Sequence, residues 1–122
     1  MFSETVLEHF RNPRNSGELA DATATVEISN PVCGDILKLS ARVQGAGIAE
    51  ARFLCRGCTT SIACASLLTV LLTGCSLHDA VSITAEAIAS QLGGLPPATF
   101  HGAQLASEAL DALLKQIQAQ LD

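Results

Sequence analysis

The chain has no tryptophan and no tyrosine, and only four phenylalanines among its 122 residues. That leaves little aromatic surface on which bases or planar cofactors could stack. Charge is sparse as well: 7 Lys and Arg stand against 12 Asp and Glu, a formal net charge of −5. With no basic patch to meet a phosphate backbone, nucleic acid is not expected as a partner. Long hydrophobic runs are also missing. The strongest, from Leu67 to Leu72, is interrupted by Thr69 and falls far short of the roughly 20 residues needed to span a bilayer. No basic region leads into an apolar cleavable segment at the start of the chain. These absences predict a soluble, cytoplasmic protein without membrane contact. The five cysteines are odd in number and are not spaced as in a small disulfide-stapled scaffold, so reduced thiols are expected.

What is present favours one folded domain over residues 1–122. A hydrophobic content of 48% with 16% charged residues argues against disorder, and the length is sufficient to bury a core. Val6, Leu7 and Phe10 share a helical face behind Ser3 as N-cap, and Asn12-Pro13 stops the helix. Residues 22–28 alternate in a half-exposed strand pattern. Leu37, Leu39, Ala41 and Val43 then alternate cleanly with Lys38, Ser40 and Arg42, and Ala49, Ala51 and Phe53 do so after a turn at residues 44–47. From Thr60 to Thr73 the chain is apolar nearly all round, as in a helix buried on most sides, and Gly74 can end it. Ser76 to Asp79 matches a capping box, Thr84 to Leu92 offers another helix, and Leu105 to Leu121 forms a long amphipathic one. The pattern predicts an α+β fold: a three-stranded antiparallel sheet with helices packed on one face.

Cys33 falls just before one predicted strand and Cys58 just after another. A hairpin that starts at Asp35 and returns at Arg56 therefore carries both thiols to the same end of the sheet, as a shared ligand site requires. Spacing alone leaves a buried inert cysteine equally open for each. His101 opens the last helix, where free N–H groups and the helix dipole favour a nearby thiolate, although a histidine there, taken alone, is more often a capping or surface residue. Cys55 forms a CxxC with Cys58, but it shares strand parity with Ala51 and Phe53 and is expected to face the helices. Cys64 and Cys75 are expected to be structural or incidental.

The segments Asn30-Pro31-Val32-Cys33-Gly34-Asp35, Arg56-Gly57-Cys58-Thr59 and Leu95-Pro96-Pro97-Ala98-Thr99-Phe100-His101, in that order and spacing, resemble the IscU-type iron–sulfur scaffold proteins, including the N-terminal domain of NifU. The likeness begins at Ser3-Glu4-Thr5-Val6-Leu7-Glu8-His9-Phe10 and covers nearly the whole chain. It implies a transient iron–sulfur cluster at Cys33, Cys58 and His101, with Asp35 bordering the site; zinc also accepts such mixed S and N ligands, and with Gly at 102 the Asp35 oxygen is expected to complete its four-coordination. It also implies a non-enzymatic scaffold, a pyridoxal-phosphate-dependent cysteine desulfurase as sulfur donor, and iron–sulfur acceptor proteins.

Two departures stand out. The family motif ends in His-Cys where this chain has His101-Gly102, so a third cysteine ligand is absent and altered or reduced cluster holding is expected. The family's Val-Lys is replaced by Ala98-Thr99, which argues against handling by an Hsp70-type chaperone. The alternatives from other classes are a diverged zinc-binding module that docks to or regulates a desulfurase, and a persulfide acceptor with Cys58 as nucleophile. Replacing Gly102 by Cys is expected to raise cluster retention without disturbing core packing.

Overall fold

The computed structural model describes residues 2–31 and 33–121. Helix α1 (Glu4–Arg11) is capped by the Ser3 hydroxyl, which accepts from the Val6 N–H at 3.1 Å. Strands β1 (Ala24–Ser29), β2 (Ile36–Gln44) and β3 (Gly47–Arg56) follow, then α2 (Thr59–Leu72), α3 (Leu77–Ala80), α4 (Ala85–Gln91), a 3-10 turn at Pro97–Thr99 and α5 (His101–Leu121). The sheet is antiparallel in the order β1-β2-β3, with Leu39 opposite Val26 on one side and Phe53 on the other. Both the α+β class and the helix-covered sheet are as expected from the sequence.

The two-residue period of β2 and β3 puts Leu37, Leu39, Ala41, Ala51 and Phe53 on the buried face, where α2 and α5 cover them. Helix α2 has almost no polar face because it lies between β3, α1 and α5. It is stopped at Gly74, whose φ of 82° is the left-handed value that favours glycine. On α5, Leu105, Ala109, Leu110, Leu113 and Ile117 are buried at the three- and four-residue spacing of an amphipathic helix.

One connection has no counterpart in the sequence pattern. The segment after α1 runs parallel to β3, with Gly17 N–H donating to the Phe53 carbonyl at 2.8 Å and Phe53 N–H to the Asn15 carbonyl at 3.0 Å. It satisfies backbone groups on the outer edge of β3, which would otherwise be open to pairing with another chain.

Candidate metal centre

The β2–β3 register decides where the site forms. Ile36 pairs with Arg56, so the residues just before Ile36 and just after Arg56 emerge side by side. Gly34, with φ 77°, turns the chain into β2, and its N–H donates to the Asn30 carbonyl at 2.7 Å. On the other strand Gly57 makes room: a Cβ there would lie 2.8 Å from the Asp35 carboxyl carbon. Only glycine permits this approach of backbone to carboxylate.

Cys58 is the N-cap of α2, but its side chain makes no capping bond. The donors of the first turn turn instead to Asp35, whose Oδ2 receives the Cys58 N–H at 3.5 Å and the Ser61 hydroxyl. Asp35 thus supplies an anion at a helix N-terminus, where the helix dipole favours negative charge. It is only 6% exposed. Burial pushes its carboxyl up, but hydrogen bonds from the Ser61 hydroxyl, the Cys58 thiol and backbone N–H, and the Cys33 thiol outweigh that and hold it below the ordinary 3.8. It is a carboxylate at neutral pH.

His101 enters from the third side, as the first residue of α5. Its Nε2 lies 3.7 Å from Cys58 Sγ and 4.0 Å from Asp35 Oδ2. The ligand atoms of Cys33, Asp35 and His101 all fall within 4.8 Å of one another, and Cys58 adjoins this triple through His101. Cys33 and Cys58 are both exposed. The four residues singled out in the sequence are therefore gathered in one place. A tetrahedral ion with bonds of about 2.3 Å to sulfur and about 2.0 Å to nitrogen sets S and N roughly 3.5 Å apart, close to the separation of Cys58 and His101. The donor set, two sulfurs with one nitrogen and one oxygen, suits zinc or iron.

The other cysteines are set apart. Burial, and secondarily the charge of Asp35, pushes the Cys55 thiol up to about 12; burial does the same to Cys64. Cys75 is raised by burial and by Asp79. None of the three matches the exposed thiols at the site, in keeping with the strand parity of Cys55 and the helical burial of Cys64.

One expectation is corrected. Gly102 is buried, and a Cβ at that position would lie 2.8 Å from Thr60 Cγ2, 3.0 Å from Ser61 N and 3.1 Å from the Thr60 carbonyl carbon. The first turns of α2 and α5 touch there through backbone, and Thr60 is itself fully buried. A cysteine at 102 therefore disturbs the packing. The sequence reading also missed Ser61. Its position three residues after Cys58 is the available signal, because i and i+3 share a helix face.

The model of the NifU-like N terminal domain family matches residues 1–121. An iron–sulfur cluster assembly scaffold protein IscU of Archaeoglobus fulgidus is 39% identical over 110 residues, covering 90% of this chain and 72% of its own length. The IscU scaffold protein of Escherichia coli is 39% identical over 117 residues, 93% of this chain and 91% of its own. Among solved structures, a nitrogen-fixing NifU-like protein (N-terminal) from Brucella abortus superposes with a TM-score of 0.78 over 96% of this chain and 94% of that one, at 15% identity, a likeness of fold alone. With nearly its whole length matched, the chain belongs to the NifU-like N-terminal domain family.

Proposed function

We propose that the protein is a non-enzymatic scaffold for iron–sulfur cluster assembly, with Cys33, Cys58, His101 and Asp35 holding the iron and sulfide it handles. The observation that carries this reading is the convergence of two exposed thiols, an imidazole and a carboxylate at one end of the sheet. The names of the relatives favour a scaffold over a zinc-holding docking module or a bare persulfide acceptor. A cysteine desulfurase is the sulfur donor: the sulfane sulfur of its persulfide passes to Cys58 or Cys33, and the donor cysteine leaves as its thiol. Two electrons per sulfur, from an external reductant, then give sulfide. Iron is cargo bound by the same residues, and the finished cluster passes to an acceptor protein.

Clusters prefer thiolate ligands, and this site offers two. An external thiol completes the ligand set or retention is short, which suits a carrier that must release its cargo. In the absence of iron and sulfide, zinc occupies the same four ligands. The Leu95-Pro96-Pro97 loop passes into a 3-10 turn with Pro97 and Ala98 exposed, and without the family's lysine it does not recruit an Hsp70-type chaperone.

No helix among the described residues is long and apolar enough to cross a membrane; a cytoplasmic site of action is part of the proposal.

The test is incubation with a cysteine desulfurase and cysteine, followed by peptide mass spectrometry. Persulfide is expected on Cys58 or Cys33 ahead of Cys55, Cys64 and Cys75. Even labelling of all five, or none despite complex formation, would contradict the reading.

A further inference from the structure

Ser61 is 1% exposed, yet its hydroxyl is not spent on its own helix backbone. It donates to Asp35 Oδ2 and lies 3.3 Å from Cys58 Sγ. A serine hydroxyl has one proton and two acceptor lone pairs. With that proton given to Asp35, the hydroxyl fixes the direction of the carboxylate and meets the Cys58 sulfur as a close packing contact, with no proton left to donate to a thiolate. The Asp35 Oδ2 it holds is the oxygen 4.0 Å from His101 Nε2, which itself stands 3.7 Å from Cys58 Sγ. Ser61 touches both of the groups that flank His101.

Its seat depends on Gly102. The Ser61 backbone nitrogen lies 3.0 Å from where a side chain at 102 would begin. The missing side chain lets the first turn of α5 close on the first turn of α2. The place where a longer residue would enter the site from α5 is thus served from α2, by a hydroxyl that orients a ligand.

We propose that Ser61 is a positioning residue of the metal centre, holding Asp35 in its ligating direction beside Cys58, and that Gly102 is the close-packing position that allows it to do so. This rests on the ligand set proposed above. Hydrogen-bond partners of metal ligands typically change metal affinity about 10–100-fold when removed, and the direction expected here is loss.

The experiment is an anaerobic titration of the protein with Co²⁺, whose visible bands report the ligand set, alongside thermal melts without metal. Ser61→Ala should weaken Co²⁺ binding by about tenfold or more and shift the bands, and Ser61→Thr, which keeps the hydroxyl, should recover most of both. A residue that only packs the helix would lower the melting temperature and leave the bands of the folded protein unchanged. Equal affinity and identical bands in Ser61→Ala overturn the role of Ser61 and leave the ligand set standing. No Co²⁺ binding by the unaltered protein overturns both. Should the alanine variant fail to fold, proton NMR of the unaltered protein decides: a slowly exchanging Ser61 hydroxyl proton close to the Asp35 methylene is expected, and a rapidly exchanging one contradicts the proposal.

Discussion

Helix α2 carries buried hydroxyls against two polar clusters, and the two behave differently. At its first turn Ser61 meets Asp35, Cys58 and, through them, His101. On its middle turns Ser66 accepts the Arg14 N–H at 2.8 Å and bonds His9 Nδ1 at 2.8 Å, while the Asn15 side chain donates to Thr69 Oγ1 at 3.2 Å. The second cluster is closed: His9 is 8% exposed and Ser66 fully buried, and its groups answer one another. It anchors α1 and the following segment to α2. The first cluster has two thiols exposed beside a carboxylate and an imidazole, so its ligand atoms face an open side. Polar groups closed on one another hold a fold together, whereas thiols, carboxylate and imidazole gathered on an open side invite a metal.

The largest effect expected from disturbing this contrast comes from Gly102→Cys. Overpacking costs about 1–3 kcal/mol, and the upper end, about 3 kcal/mol, is expected because two of the three close neighbours are backbone. Denaturant melts measure it. Cluster retention should not rise in step, since the first turns of α2 and α5 are forced apart. Adding Thr60→Ser removes the methyl that the new Cβ meets and should restore only part of the loss.

Ser66→Ala sharpens the comparison from the other cluster. It leaves the Arg14 N–H and His9 Nδ1 without their partner, and at about 1 kcal/mol per hydrogen bond the expected loss is about 2 kcal/mol of stability. Co²⁺ affinity and bands should remain those of the unaltered protein, the opposite of the Ser61→Ala pattern.

The smallest effect concerns pH. Burial, and then the nearby Arg14 charge, holds the His9 imidazole below its ordinary 6.5, with Glu8 opposing. The unfolded chain therefore binds a proton that the folded one refuses. The stability this contributes is complete above pH 6.5 and is lost as pH falls from there through the folded value. Melts of metal-free protein should decline over that window, and His9→Gln should flatten the decline.

Much of this contrast lay outside what the sequence displays. The period of two in 37–43 and the amphipathic spacing of 105–121 made the strands and α5 legible, because burial writes itself into side-chain alternation. Cys33, Asp35, Cys58 and His101 were legible from turn positions and family likeness. The pairing of residues 15–17 with Phe53 was not, since it uses backbone groups alone. Nor were the parts of Ser61 and Ser66. In a helix apolar on nearly every side, a serine facing a ligand and a serine facing a structural histidine look the same. Gly102 showed as a missing thiolate, but not as the contact point of two helices.

The central claim is tested most directly by anaerobic reconstitution with Fe²⁺, cysteine, a reductant and a cysteine desulfurase, followed by determination of iron, acid-labile sulfide and visible absorption. The unaltered protein is expected to hold iron and sulfide together, to show cluster absorption, and to give the cluster up to an apo-acceptor, while Cys33→Ser with Cys58→Ser shows none of these. Iron bound without sulfide, or the same cluster in the double variant, would contradict the account.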